Sequence, residues 1–219
     1  MTASPARGGP GPAADEGSRR SHGLRATIAA DLAAMAEGRT LSRGRVLLRL
    51  AVHARWRAVV GWRLAQAGME HPATRPLALW LSDRVLAASG AELKPTSRIG
   101  PGVLLKHTTG LVVGGDVVAG LRLTLHQNVT LGDRHPYGGQ PIIGDDVVVG
   151  AGACVLGPIM IGDGAVIAAN SVVLDDVPAD CVVAGAPARV VRRTDRSTNR
   201  TTPDHARPSY VSSLAARRG

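Results

Sequence analysis

Two histidines in this chain lie among residues that could move a proton. His107 follows Lys106 and precedes Thr108-Thr109-Gly110, and His135 stands beside Arg134 in the run Asp133-Arg134-His135-Pro136. A neutral imidazole titrates near neutrality, so it can take the proton of a hydroxyl as that oxygen attacks an activated acyl group. Such a base works best when a carboxylate fixes its tautomer and stabilises the imidazolium. Glu92, fifteen residues before His107, is the candidate for that task. The other five histidines carry less. His22 and His205 fall in tails, His53 and His71 in or beside helices, and His126 in a regular repeat where it could line a surface. Zinc would need three histidines converging on one point, and His107, His126 and His135 are the only candidates. An acid partner and a neighbouring arginine fit a base better than a ligand set, so no metal is expected.

These residues must be positioned by a repeat. Ile99, Leu105, Leu111, Val117, Leu123 and Val129 recur every sixth residue, and the beat resumes as Ile143, Val149, Val155, Ile161, Ile167 and Val173. A period of six fits neither a helix nor an alternating strand. It is the pattern of a parallel β-helix, in which three short strands make one turn and each beat points one aliphatic side chain inward. Gly100, Gly144, Gly150 and Gly162 directly follow beats, at the corner position of such a coil. At about eighteen residues per turn, Glu92 and His107 fall on neighbouring turns near one edge. Val129 to Ile143 is two residues more than two beats, which predicts that 132–141 leaves the coil as a loop carrying Arg134 and His135.

Composition agrees with a narrow aliphatic core: the 219 residues include 27 glycines and no phenylalanine. The net charge of +9 is unevenly spread. Residues 90–188 hold five basic against nine acidic side chains, so the repeat is acidic and the basicity lies on the helical segment and the tail. A stacking platform for bases needs aromatics among the basic residues, and the tail has only Tyr210, so no nucleic acid is expected as a partner. Cys154 and Cys181 lack metal-ligand spacing and read as small core hydrophobes. Arg19-Arg20 suggest a twin-arginine leader, but Asp31 and Glu37 interrupt the apolar core it would need. No apolar run of about 18 residues occurs, so neither a signal peptide nor a membrane span is expected, and the cytoplasm is the expected location.

Before the repeat, residues 1–23 are poor in large apolar side chains and read as a disordered tail. A helical segment over 24–90 follows. Leu24, Ile28, Leu32 and Met35 predict a helix over 24–38. Ser42 caps a second helix over 43–67, with Val46, Leu47, Leu50, Val59, Val60 and Leu64 as its apolar face, Trp56 and Trp62 as anchors and Gly68 as its stop. Pro72 to Pro76 form a turn, and a third helix over 77–88 presents Leu77, Trp80, Leu81, Val85 and Leu86. The repeat domain spans 91–193, and 194–219 reads as a disordered basic tail.

Four stretches resemble one family. Arg98-Ile-Gly-Pro-Gly-Val-Leu-Leu-Lys-His-Thr-Thr-Gly-Leu-Val-Val-Gly114 is similar to the first active-site coil of the serine O-acetyltransferases, members of the hexapeptide-repeat acyltransferases. Asn128-Val-Thr-Leu-Gly-Asp-Arg-His-Pro136 resembles their second active-site segment, and Val183-Ala-Gly-Ala-Pro-Ala-Arg-Val190 the closing motif of the superfamily. Trp62-Arg63-Leu64 resembles the end of the preceding helical domain. The resemblance implies a left-handed parallel β-helix, preceded by a small α-helical segment. It implies acetyl-CoA as co-substrate, and a homotrimer or hexamer with each site between two subunits. His107, paired with Glu92, would deprotonate L-serine for direct attack on the thioester, giving O-acetylserine for cysteine biosynthesis. His135 would face His107 from the neighbouring subunit, and Arg134 with His135 would hold the amino acid. CoA would lie along the coils near Gly150, Ala168 and Arg189, with Arg192 available to its phosphates.

The chain departs from the family at Lys106, where an Asp is usual, and at Glu37-Gly-Arg-Thr-Leu41, where a short Arg-Asp-Pro run is usual. Lys106 therefore lines the acceptor position with the opposite charge, which would suit an acidic or neutral hydroxyl compound such as a sugar or a pathway intermediate. A non-catalytic hexapeptide scaffold is the reading from another class. Family members that bind cysteine synthase generally finish in Ile. This sequence finishes Ala-Arg-Arg-Gly219, so that complex is not expected.

Overall fold

The computed structural model describes residues 23–194; the expected disordered tails lie outside the described residues. Helices come first: α1 (Leu24–Met35), α2 (Arg43–Val52), α3 (Ala54–Gly68) and, after a 3-10 turn at Pro72–Thr74, α4 (Arg75–Ser89). Gly90, left-handed with φ 69°, ends α4 and starts the coil. Where the sequence predicts one helix over 43–67 there are two. The break falls at His53, whose backbone is extended (φ −100°, ψ 117°). It resets the helical phase, so the predicted continuous apolar face is split. Trp56, Val59 and Trp62 are buried, whereas Leu47 and Leu64 are exposed. Ser42 precedes α2 but makes no side-chain capping bond.

The predicted face of α4 is also displaced. Leu77, Trp80 and Leu86 are exposed, whereas Val85 is buried as predicted and Ala78 is buried beside it. The cause lies on α3, whose Gly61 and Gly68 let α4 approach closely. A Cβ at Gly61 would stand 2.6 Å from Val85 Cγ2, and one at Gly68 would stand 2.9 Å from Ala78 Cβ. Small residues, rather than the largest apolar ones, select the packed face.

A parallel β-solenoid follows, three faces wound around an aliphatic core. The first face stacks β1 (Glu92–Leu93), β4 (Val112–Val113), β7 (Thr130–Gly132), β10 (Cys154–Leu156) and β13 (Val172–Val173). The second stacks β2 (Arg98–Ile99), β5 (Val118–Ala119), β8 (Ile142–Ile143) and β11 (Met160–Ile161). The third stacks β3 (Leu104–Leu105), β6 (Thr124–Leu125), β9 (Val148–Val149), β12 (Val166–Ile167) and β14 (Cys181–Gly185), and β15 (Ala188–Arg193) closes it antiparallel to β14. Cys181 is buried in the core, whereas Cys154 is only half-buried.

Registers locate the insertions, and here the structure corrects the sequence reading. Glu92 pairs with Val112, twenty residues on, whereas Val112 pairs with Thr130, eighteen on. The two-residue excess therefore lies between β3 and β4, in the corner that holds His107. The loop after β7 adds a further six, since Thr130 pairs with Cys154 twenty-four residues on. Each side of the coil has two inward positions, such as Leu111 and Val113, both fully buried. An insertion of two slips the beat from one position to the other, and a loop of six leaves the phase unchanged.

The helical segment is fastened to the first turn by a buried ion pair. Arg63 Nε donates to Asp31 Oδ2 at 2.7 Å, and its other nitrogens donate to the carbonyls of Ile99 (2.7 Å) and Gly100 (2.8 Å). Asp31 Oδ1 accepts the backbone N–H of Gly102 (2.8 Å) and Val103 (2.9 Å). Every charged oxygen and nitrogen of the pair has partners, the condition under which burying two charges is tolerated.

Candidate active site

The corner between β3 and β4 presents Lys106, half-buried, and His107, exposed. It is held from the helical side. Arg55 Nη1 donates to the carbonyl of Lys106 at 3.2 Å, and Lys106 Nζ pairs with Glu37 Oε1 at 3.2 Å. Glu37, left-handed at φ 53° just past α1, also lies 3.9 Å from Arg55 Nη1. The residue beside the candidate base is thus fixed through its backbone and its side chain by two helical residues distant in sequence. Sequence reading gave Arg55 no place beside this corner and reached Glu37 only through the family resemblance, since no local pattern links positions 51 and 69 residues apart.

Glu92 stands one turn below β4 on the first face. Its carboxylate is occupied by Lys94 Nζ at 2.7 Å, two residues along on the same side of the chain. Among the described residues no hydrogen bond joins Glu92 to His107.

The loop is anchored at its base. Gln140 Oε1 accepts the N–H of Asp116 at 2.9 Å, and Gln140 Nε2 donates to Asp133 at 3.3 Å. Between these anchors Arg134, His135 and Tyr137 are exposed. The loop leaves the edge joining the first and second faces, whereas His107 occupies the edge joining the third and first. One chain therefore does not bring His107 and His135 together, nor does it gather His107, His126 and His135 on one point.

What it does assemble is a row. Along the ends of the third-face strands, the N–H of Lys106 bonds to Leu125, that of His126 to Val149, that of Gly150 to Ile167 and that of Ala168 to Val183, at 2.9–3.2 Å. Ala184 in turn pairs with Arg189 across the closing hairpin. Lys106, His126, Gly150, Ala168, Ala184 and Arg189 thus line one track, about 24 Å long at five inter-strand steps of about 4.8 Å. Arg189 pairs with Asp175 at 3.2 Å, and Arg192 is exposed beside it on β15. His126 feels this setting: burial, then the positive charge of Lys106 and that of His107, hold its imidazole pKa below the usual range.

The fold and its closing hairpin are those of a hexapeptide-repeat protein, and the family model "Bacterial transferase hexapeptide (six repeats)" matches residues 140–175. Relatives narrow this further. Serine acetyltransferase 4 of Arabidopsis thaliana is 40% identical over 136 residues, 59% of this chain and 37% of that one. The apoenzyme structure of soybean serine acetyltransferase superposes with a TM-score of 0.69 at 40% identity, covering 77% of this chain and 69% of that one. A serine acetyltransferase solved in complex with CoA superposes with a TM-score of 0.66 at 31% identity, over 77% of this chain and 69% of that one. The chain belongs to the serine acetyltransferase family. It spans from 31% to 62% of the length of the curated relatives it matches. No helix among the described residues is long and apolar enough to cross a membrane.

Proposed function

We propose that the protein is an acetyl-CoA-dependent serine O-acetyltransferase of the cytoplasm. The observation that carries this reading is the track of strand ends running from the His107 corner to Arg189 in a chain of this family. Soybean serine acetyltransferase has been solved with serine and another family member with CoA, which supports these two compounds as the ligands. In this reading CoA lies along Gly150 and Ala168, with Arg189 and Arg192 toward its phosphates and its acetyl end at the corner. His107 takes the serine hydroxyl proton, the oxygen attacks the thioester carbonyl carbon, and the proton passes to the departing thiolate sulfur. Glu92 turns from Lys94 to His107 when the site closes and stabilises the imidazolium.

Arg134 and His135 reach the serine carboxylate from a neighbouring subunit, because their own corner lies on another edge of the prism. A homotrimer, alone or paired into a hexamer, supplies that arrangement. Lys106 pairs with Glu37 and orients it beside the acceptor, and no metal takes part. Neither nucleic acid, membrane nor cysteine synthase is required as a partner.

The test is CoA release from acetyl-CoA by the full chain, with L-serine and with a panel of other hydroxyl acceptors. Turnover with serine is expected, and His107→Ala should lower kcat by about 10²–10⁴-fold. Turnover with another acceptor alone would move the substrate and keep the chemistry; no turnover with any acceptor would overturn the reading.

A further inference from the structure

His126 sits on the track between the corner that holds the base and the strand ends proposed for CoA, and the reaction as drawn gives it no task. Its neighbour Leu125 points into the core, so the alternation of the strand turns His126 outward onto the third face. It lies one strand step from Lys106 and one from Gly150. Among the described residues neither of its ring nitrogens is engaged in a hydrogen bond. A half-buried polar ring with uncommitted nitrogens, placed where a thioester must pass to reach His107, is positioned to meet the acyl group.

We propose that His126 is a catalytic residue that donates a ring N–H to the carbonyl oxygen of the acetyl thioester and holds the negative charge that develops there. The inference rests on the acetyltransfer reading above. The acceptor oxygen bonds to the carbonyl carbon while its proton goes to His107, and the carbonyl π-electrons move onto the oxygen facing His126. The oxyanion collapses, the C–S bond breaks, and His107 returns the proton to the thiolate. His126 neither gains nor loses a proton. It needs only to be a neutral donor, and burial together with the adjacent Lys106 and His107 charges favours the neutral ring. A neutral imidazole aimed at a developing oxyanion in a partly desolvated site has the properties such stabilisation requires.

Two variants of similar size separate this role from packing. His126→Leu keeps bulk and removes the donor, whereas His126→Gln keeps a donor. With L-serine, His126→Leu should lower kcat about a hundredfold with the KM for acetyl-CoA changed less than about threefold, and His126→Gln should stay within about tenfold of the native protein. A second readout does not depend on turnover. The infrared carbonyl band of acetyl-CoA labelled at the carbonyl carbon should move to lower frequency on binding the native protein. That shift should be lost with His126→Leu and largely kept with His126→Gln. A His126→Leu protein within threefold of native kcat, or an unchanged carbonyl shift, overturns the proposal. If His107→Ala is inactive in the same experiments, the acetyltransfer reading survives that failure. If the native protein releases no CoA with any acceptor, the reading falls and the proposal falls with it.

Discussion

The chain interrupts its coil in two places, and the two differ in how they are held. The His107 corner is an insertion of only two residues, tied through Lys106 to Glu37 and Arg55 and resting on the first turn, which Asp31 and Arg63 fasten. The loop over 133–141 is anchored at its base through Gln140 and Asp133, and its Arg134, His135 and Tyr137 stand in solvent. One interruption is preorganised within a single chain; the other presents Arg134, His135 and Tyr137 side chains that make no hydrogen bond or ion pair among the described residues. The difference teaches a division of labour. On the proposed reading, the base is set by the fold of one subunit, and Arg134 and His135, proposed to hold the acceptor, would be completed by a neighbouring subunit. Because catalytic groups must be fixed to within fractions of an ångström, the stiffer interruption suits the base.

The largest effect expected from breaking this contrast is at the clamp. Asp31→Ala leaves Arg63 buried without its counter-charge and frees the N–H groups of Gly102 and Val103. Removing one partner of such a pair costs about 3–5 kcal/mol, or roughly 10 °C in melting midpoint for a chain of this size. Thermal unfolding checks it; a midpoint within about 2 °C of native would show that the corner does not depend on the clamp. The next effect belongs to the loop and should leave stability untouched. Arg134→Ala removes an exposed guanidinium, so the melting midpoint should not move. The KM for serine should rise about tenfold to a hundredfold, the value of a charge-assisted hydrogen bond to a carboxylate. A fall in stability without a change in KM would reverse the roles assigned to the two regions.

How much of this was legible in the sequence follows the same division. Six-residue spacing identified the coil, because its inward positions admit little besides aliphatic side chains, and Ile99, Leu105, Val149 and Ile167 are buried as the beat requires. Counting misassigned the excess. Leu111 and Val113 both face inward, so the slip at the His107 corner left the count of six intact and transferred the apparent surplus to the loop. The helices were legible as helices and their packed faces in part: Met35, Trp56, Val59, Trp62 and Val85 are buried as read, whereas Gly61 and Gly68 act through the space they leave open rather than through a pattern. Arg63 and Glu37 stood out only through the family resemblance, and the contacts of Asp31, Arg63, Glu37 and Arg55 gave no local signal, because their partners are long-range and visible only once the helices are folded onto the first turn. The track through His126 was hidden for a related reason. Its members are separated by twenty, twenty-four and eighteen residues, unequal steps that become neighbours only when the insertions are known.

The smallest expected effect sharpens the contrast electrostatically. The corner gathers Lys106, His107 and His126, and the pKa of His126 is held low by burial first, then by Lys106 and then by His107. The sign follows from linkage. With its pKa lowered on folding, His126 binds a proton more readily in the unfolded chain, so acidification through the ordinary imidazole range near 6.5 draws the protein toward unfolding. Above that range the ring is neutral in both states and contributes nothing. The melting midpoint should therefore fall between pH 7.5 and 5.5, and His126→Gln should make that fall shallower by removing the contribution of one ring. Lys106→Met, which removes the neighbouring charge that acts more strongly on His126, should give a smaller change in the same direction. The effect is read as a difference of slopes between variants, in which the remaining histidines largely cancel. Equal slopes for the native protein and His126→Gln would mean that the ring is solvated like a surface imidazole, and the corner would lose its claim to be the preorganised member of the pair.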